Sequence, residues 1–174
     1  MAFISPIHLI EKMYIKEGST VADFGAGSGA YTLALAEMVG KKGKVYALDL
    51  HREMLETLQG TAIKMGLENV ETVWTNIEKE TPLGSYTQDA VVLSNVLFQV
   101  EDVNAVIQEV SRVIKPLGML LCVEWSASHM GIGPHPSHVI EQARAEEMLV
   151  KHGFSIKERL PAGSYHYAML AIKL

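Results

Sequence analysis

The stretch Val21-Ala22-Asp23-Phe24-Gly25-Ala26-Gly27-Ser28-Gly29-Ala30 decides the fold class. A short run of strand character enters three alternate glycines, and the helix-like segment Ala30–Val39 follows directly. A strand that turns on glycines straight into a helix opens a βαβ unit of the nucleotide-binding kind. Gly25 and Gly27 permit a tight turn and let a ligand approach the backbone closely. The amides at the start of the next helix can meet polar ligand groups.

Outward from this turn, strand-like and helix-like segments alternate, the signature of a mainly parallel sheet covered by helices. A leading helix is expected over Ser5–Tyr14, with Ser5 as N-cap and Pro6 in its first turn. Strands are expected at Thr20–Phe24, Lys44–Leu50, Val70–Trp74, Ala90–Leu93 and Met119–Val123. The intervening helices are Ala30–Val39, Arg52–Met65 and Val103–Ile114, with Val139–His152 after the fifth strand. Residues 75–88 form a long polar connection with room for a helical turn. Phe154–Leu160 and His166–Lys173 are joined only by Pro161-Ala162-Gly163-Ser164, too short a link for a parallel crossover, so they close the chain as an antiparallel hairpin. Ser126–Pro136 breaks the rhythm with glycines, prolines and histidines and is the candidate functional loop.

The 174 residues suit one domain spanning residues 1–174. A net charge of −5 argues against a nucleic-acid or membrane-surface binder, which needs a cationic face. Lys41, Lys42 and Lys44 read as a solvated loop. The lone Cys122 excludes an intrachain disulfide, fits a reducing compartment, and lies in the apolar run 119–123 as a buried small hydrophobe. No signal peptide and no long apolar span is visible, so a cytoplasmic location is expected. His135 and His138 lie three apart with His129 nearby, yet no acidic or thiol pattern completes a metal site, and no metal is expected.

The glycines alone leave two cofactors open. Gly25, Gly27 and Ala30 satisfy the dinucleotide pattern G-x-G-x-x-G/A, whereas Gly25, Gly27 and Gly29 satisfy the G-x-G-x-G spacing of methyltransferases. Asp23, at the carboxyl end of its strand, would repel a pyrophosphate and suits a cation such as the ammonium of a methionine moiety. The chain also offers no second domain for a dehydrogenase substrate, and the closing hairpin is foreign to the plain dinucleotide fold. Asp49 ends the second strand 20 residues after Gly29, where a carboxylate accepts hydrogen bonds from ribose hydroxyls of either adenosine cofactor. Its other reading is a cap for the helix that starts at Arg52.

The order of motifs resembles the class I S-adenosylmethionine-dependent methyltransferases, and most closely the compact methyltransferase-domain proteins related to the ubiquinone and menaquinone C-methyltransferases. The resemblance rests on Asp23–Gly29, on Val45-Tyr46-Ala47-Leu48-Asp49, on Asp89–Leu97 and on Lys115-Pro116-Leu117-Gly118. It implies a Rossmann-like seven-stranded sheet of order 3-2-1-4-5-7-6, strand 7 antiparallel, with helices on both faces. It implies S-adenosylmethionine as cofactor, S-adenosylhomocysteine as product, and a small-molecule methyl acceptor. By this resemblance Asp23 and the loop Gly25, Ala26, Gly27 and Gly29 hold the methionine part. Asp49 holds the ribose, Leu50 and Met54 border the adenine, and Asn76 and Ile77 border it from the other side. Ser94 and Asn95 line the methyl-transfer side. The family commonly carries an acidic residue near Asn76, whose amide oxygen is the substitute here, with Glu78 close by. Only a short segment precedes the first strand, so a small lid, or one borrowed from a partner, is expected, which leaves room for a homodimer.

In an open α/β sheet the ligand sits outside the carboxyl ends of the strands. That rule selects Ser94–Phe98, Glu124–His135 and the start of the antiparallel last strand. Phe98, Trp125, His129, His135, Tyr165 and His166 are therefore the candidate acceptor contacts, with His166 and Tyr165 the candidate catalytic groups. Alternation along a strand places Tyr165 and Tyr167 on one face and His166 on the other, so only one set can enter the pocket. Two other functions fit parts of the pattern: a cofactor-binding accessory subunit of a methyltransferase complex, and an NAD-type oxidoreductase.

Overall fold

The computed structural model describes residues 5–128 and 132–174. Seven strands form one sheet in the order β3-β2-β1-β4-β5-β7-β6. They are β1 (Thr20–Phe24), β2 (Lys44–Asp49), β3 (Val70–Trp74), β4 (Gln88–Ser94), β5 (Ile114–Trp125), β6 (Phe154–Leu160) and β7 (His166–Lys173). The first five are parallel, and β7 runs antiparallel to both neighbours. The helices are α1 (Pro6–Ile10), α2 (Ala30–Val39), α3 (Arg52–Lys64), α4 (Val103–Val113) and α5 (Gln142–Lys151). Among the described residues no helix is long and apolar enough to cross a membrane.

Strand alternation splits the core into two layers. Val21, Val45, Ala90, Val92, Leu121, Val123, Ala168 and Leu170 pack with α1 and α2 on one face of the sheet. Ala22, Phe24, Val91, Leu93, Leu120, Cys122, Tyr167 and Met169 pack with α4 and α5 on the other. On α4, Val106, Ile107, Val110 and Val113 recur at helical spacing and face the sheet. The Asp102 carboxylate caps that helix, accepting from the Ala105 amide at 3.0 Å.

Several element bounds differ from the expected ones, each for a local reason. The leading helix stops at Ile10 and tightens to a 3₁₀ turn over Glu11–Met13, because Tyr14 adopts a left-handed conformation. β5 begins at Ile114, not Met119. The pairing shifts from Gln88↔Ile114 to Ala90↔Met119, so Lys115-Pro116-Leu117-Gly118 bulges out of the ladder, with Leu117 left-handed. α5 starts only at Gln142, after a separate 3₁₀ turn over Pro136–His138.

The connection between β3 and β4 contains no helix and is tied down by a polar knot. Glu109 on α4 accepts from the Thr81 amide and hydroxyl at 2.8 and 2.7 Å. Arg112 donates to Glu109 and to the Thr81 and Leu83 carbonyls. These bonds satisfy backbone groups that a helix would have paired internally.

Candidate active site

The three glycines of the loop after β1 are all left-handed, and each is glycine for a different reason. A Cβ on Gly25 would lie 2.4 Å from a methyl of Val96, and one on Gly29 would lie 2.1 Å from a methyl of Leu58 on α3. These two are close-packing positions. A Cβ on Gly27 would meet nothing within 4 Å. It would project into a cleft of about 760 Å³ lined by Gly25, Gly27, Asp49, Leu50, His51 and Met54, among others. A smaller cavity of about 120 Å³ shares Gly25, Asp49, Leu50 and His51 with that cleft and adds Asn76, Ile77, Glu78, Val96 and Val100.

Asp23 is buried on the α1–α2 face, where its carboxylate accepts the Thr32 hydroxyl at 2.6 Å. Burial pushes its pKa up to about 6; the Thr32 bonds pull the other way, and the nearby Asp49 charge adds to the rise. Asp49 is also buried. Its Oδ2 accepts the Gly27 amide at 2.8 Å, and its Oδ1 accepts the His51 amide at 2.8 Å with the His51 Nδ1 at 3.0 Å. Asp49 thus ties the glycine loop to the start of α3, whose N-cap position is held by His51. Each carboxylate oxygen has two lone pairs, so Oδ2 keeps one free direction for a ligand donor. Asp49 lines the cleft and favours a cation there; Asp23 lines neither cavity but lies near enough for the two charges to interact.

The other expected cofactor positions are distributed around this centre. Leu50 and Met54 are exposed at the mouth, and Ile77 is buried in the far wall. The Asn76 Oδ1 accepts the Glu78 amide at 2.9 Å, which stabilises the turn that carries Ile77. Ala26 packs toward Leu55 and Leu58 instead of the cleft. Ser94 hydrogen-bonds the Tyr31 hydroxyl, whose pKa is raised by burial. Asn95 is left-handed, and its Oδ1 is buried without a hydrogen-bond partner. An orphaned buried acceptor is costly unless a ligand donor or water meets it.

At the start of β7, alternation gives the sheet faces that His166 and Tyr167 take. His166 lies in register with Ala168 and Leu170 on the α1–α2 face, which Asp23, Ser94 and Trp125 share by the same alternation. Its ring lies 4.3 Å from that of Trp125, its register partner. Tyr167 takes the opposite face and donates to the Ile140 carbonyl at 3.0 Å. Tyr165 is buried, with its ring 6.4 Å from that of Trp125. A Cβ on Gly133 would strike the Trp125 ring, so the loop presses on that indole. Phe98 is half-buried, and Val96, Gln99 and Val100 line the cavity at its level. His135 is exposed and occupied with Ser137, and His129 lies outside the described residues.

Some site residues escaped the reading of the sequence, although the signal was there. Thr32 occupies the helical register of Leu35, Ala36 and Val39, so a hydroxyl falls on the buried face. Glu124 follows Leu120 and Cys122 on an otherwise apolar strand face and is buried. His51 and Trp74 border the cleft without any pattern that marks them.

Comparison with known proteins gives this arrangement relatives. Residues 7–142 match the model of the ubiE/COQ5 methyltransferase family. A demethylmenaquinone methyltransferase from Geobacillus stearothermophilus is 34% identical over 118 residues, covering 68% of this chain and 50% of that protein. Another from Bacillus mycoides is 36% identical over 128 residues, covering 74% of this chain and 53% of its own. The chain therefore spans about half the length of the curated relatives it matches. The crystal structure of a SAM dependent methyltransferase from Aquifex aeolicus aligns with a TM-score of 0.90 at 30% identity, covering 99% of this chain and 91% of that one.

Proposed function

This chain belongs to the ubiE/COQ5 methyltransferase family, and from that we propose that it binds S-adenosylmethionine in the cleft at Gly27 and methylates a small, flat acceptor of the quinone type. The observation that carries the reading is the left-handed Gly27, open to a cleft lined by the Asp49 carboxylate, with the Asp23 carboxylate buried near the carboxyl end of the preceding strand. Asp23 matches the ammonium of the methionine part and Asp49 the ribose hydroxyls. Leu50, Met54 and Ile77 enclose the adenine. The bound cofactor supplies a methyl group on a sulfonium, already activated for in-line displacement.

The chain's own task is alignment and exclusion of water. The orphaned Asn95 Oδ1 and the Ser94–Tyr31 pair stand at the edge where acceptor and donor meet. His166 shares the sheet face of Ser94 and is our candidate to take a proton from a carbon or phenol acceptor. Trp125, its ring tilted against that of His166, offers an aromatic wall to a flat ring. The quinone class is supported by the demethylmenaquinone methyltransferases among the relatives. Strand β7 lies beyond the family match, so the acceptor wall is where this chain is least bound by them.

Methyl transfer from labelled S-adenosylmethionine to a short-chain demethylmenaquinol, with NAD binding measured alongside, tests the reading. Labelled product and no NAD binding support it. NAD binding without binding of S-adenosylhomocysteine overturns it. His166→Ala should lower turnover and leave cofactor affinity nearly unchanged. Full turnover in that variant removes His166 from the reaction.

A further inference from the structure

Glu124 ends the core-facing register of β5 on the α4–α5 face, the layer to which the cavity residues Ile77 and Val96 also belong. It lines neither cavity at the site. Its Oε1 accepts two backbone amides of the turn after β4, Val96 at 2.6 Å and Leu97 at 2.7 Å. The same turn is held on its other side by the Asn95 amide, which donates to the Val123 carbonyl at 2.8 Å. Val96 is the residue against which Gly25 packs so closely that no side chain fits between them. A chain of direct contacts thus runs from a buried carboxylate through Val96 to the first glycine of the loop.

We infer that Glu124 is a positioning residue: from behind the cavity wall its carboxylate clamps the turn after β4 against the glycine loop and so sets cofactor affinity without touching the ligand. The inference rests on the proposed cofactor. Two charge-assisted bonds to one oxygen are stronger than their neutral counterparts. Burial pushes the Glu124 carboxyl up to about 7, against the pull of the Leu97, Val96 and Trp125 amides. The clamp therefore loses its charge just below neutral pH. The titratable groups facing it are Cys122 on its own strand, whose thiol is itself raised by burial, and Tyr167 on β7. Asp23 projects from the other face and titrates lower, near 6.

The test is binding of S-adenosylhomocysteine by calorimetry across this range, in the wild type and in Glu124→Gln. Glutamine keeps the shape and an acceptor oxygen but never ionises. Wild-type affinity should fall roughly threefold or more between about pH 8 and pH 6.5, the scale of replacing charge-assisted bonds by neutral ones. Glu124→Gln should bind throughout at the weaker level, with less than about half that slope. A slope unchanged in Glu124→Gln overturns the inference, as does a flat wild-type profile. Absence of binding at pH 8 in the wild type is a different failure, that of the cofactor assignment. Should the variant not fold, the wild-type carboxyl can be followed by carbon-13 NMR. Reciprocity requires bound S-adenosylhomocysteine to lower the Glu124 midpoint; an unmoved midpoint refutes the clamp.

Discussion

Replacing Asp23 by Asn tests the electrostatic core of the site. The Asp23 carboxyl rises from 3.8 to about 6 on folding, chiefly through burial. At 1.36 kcal/mol per pKa unit, a rise of that size makes the ionised form about 3 kcal/mol less favourable in the empty protein than in water. The group is raised, so the stability associated with its protonation is fully present below the unfolded value and is lost as pH rises through 6. An ammonium in the cleft reverses the situation, because it stabilises the carboxylate and should pull the pKa back down. Binding of S-adenosylhomocysteine should then strengthen as pH rises toward about 6 and level off above it, by up to roughly tenfold per unit below the midpoint. 5′-Methylthioadenosine has the same nucleoside but no ammonium, and its affinity should lack that component. The ratio of the two affinities isolates Asp23, since any effect of Glu124 on the loop acts on both ligands. Calorimetry with both ligands from about pH 5 to pH 8 gives the ratio directly. In Asp23→Asn the ratio should become independent of pH and fall toward the nucleoside alone. Parallel pH curves for the two ligands in the wild type would refute the reasoning, as would equal losses for both in the variant.

Three further outcomes follow from the same geometry. Asp49→Ala removes the acceptor that ties Gly27 to the cleft and should weaken S-adenosylhomocysteine by about 1.5–3 kcal/mol, whereas His51→Ala should cost less than about a third of that; equilibrium dialysis of both variants decides. Gly27→Ala and Gly29→Ala should separate binding from stability. Both put a side chain in left-handed backbone at about 1–2 kcal/mol, but only Gly29→Ala also overpacks Leu58, by about 1–3 kcal/mol more, so thermal melts should show the larger loss there while Gly27→Ala loses cofactor affinity. Glu109→Ala frees Thr81 and removes the ion pair of the partly exposed Arg112, and urea melts should show a loss of about 1–3 kcal/mol.

The fold was legible because its punctuation is local. The Asp23–Gly29 turn, the strand end at Asp49 and the short joint after Leu160 each dictate a backbone geometry without reference to distant residues. Sheet order does not follow from such signals, and it came from the resemblance. The bulge over Lys115–Gly118 was not legible, because a proline and a glycine between Ile114 and Met119 say that regular structure breaks, not that a ladder resumes in the same strand. Glu109, Thr81 and Arg112 were silent for a different reason: their pairing joins segments 28–31 residues apart, and polar residues in a polar stretch announce no partner. At the acceptor side the sequence stated the fork between His166 and the flanking tyrosines, but only the pairing of β7 with β5 could say which face each takes.

The cleft between the carboxyl ends of β1, β2 and β4 is the proposed seat of the adenosyl cofactor. A crystal structure with S-adenosylhomocysteine tests it most directly. The ribose hydroxyls should lie on Asp49, the ammonium toward Asp23, the chain of the ligand over Gly27, and the adenine between Leu50, Met54 and Ile77. A ligand bound elsewhere, or in this cleft with its ribose turned away from Asp49, would contradict it.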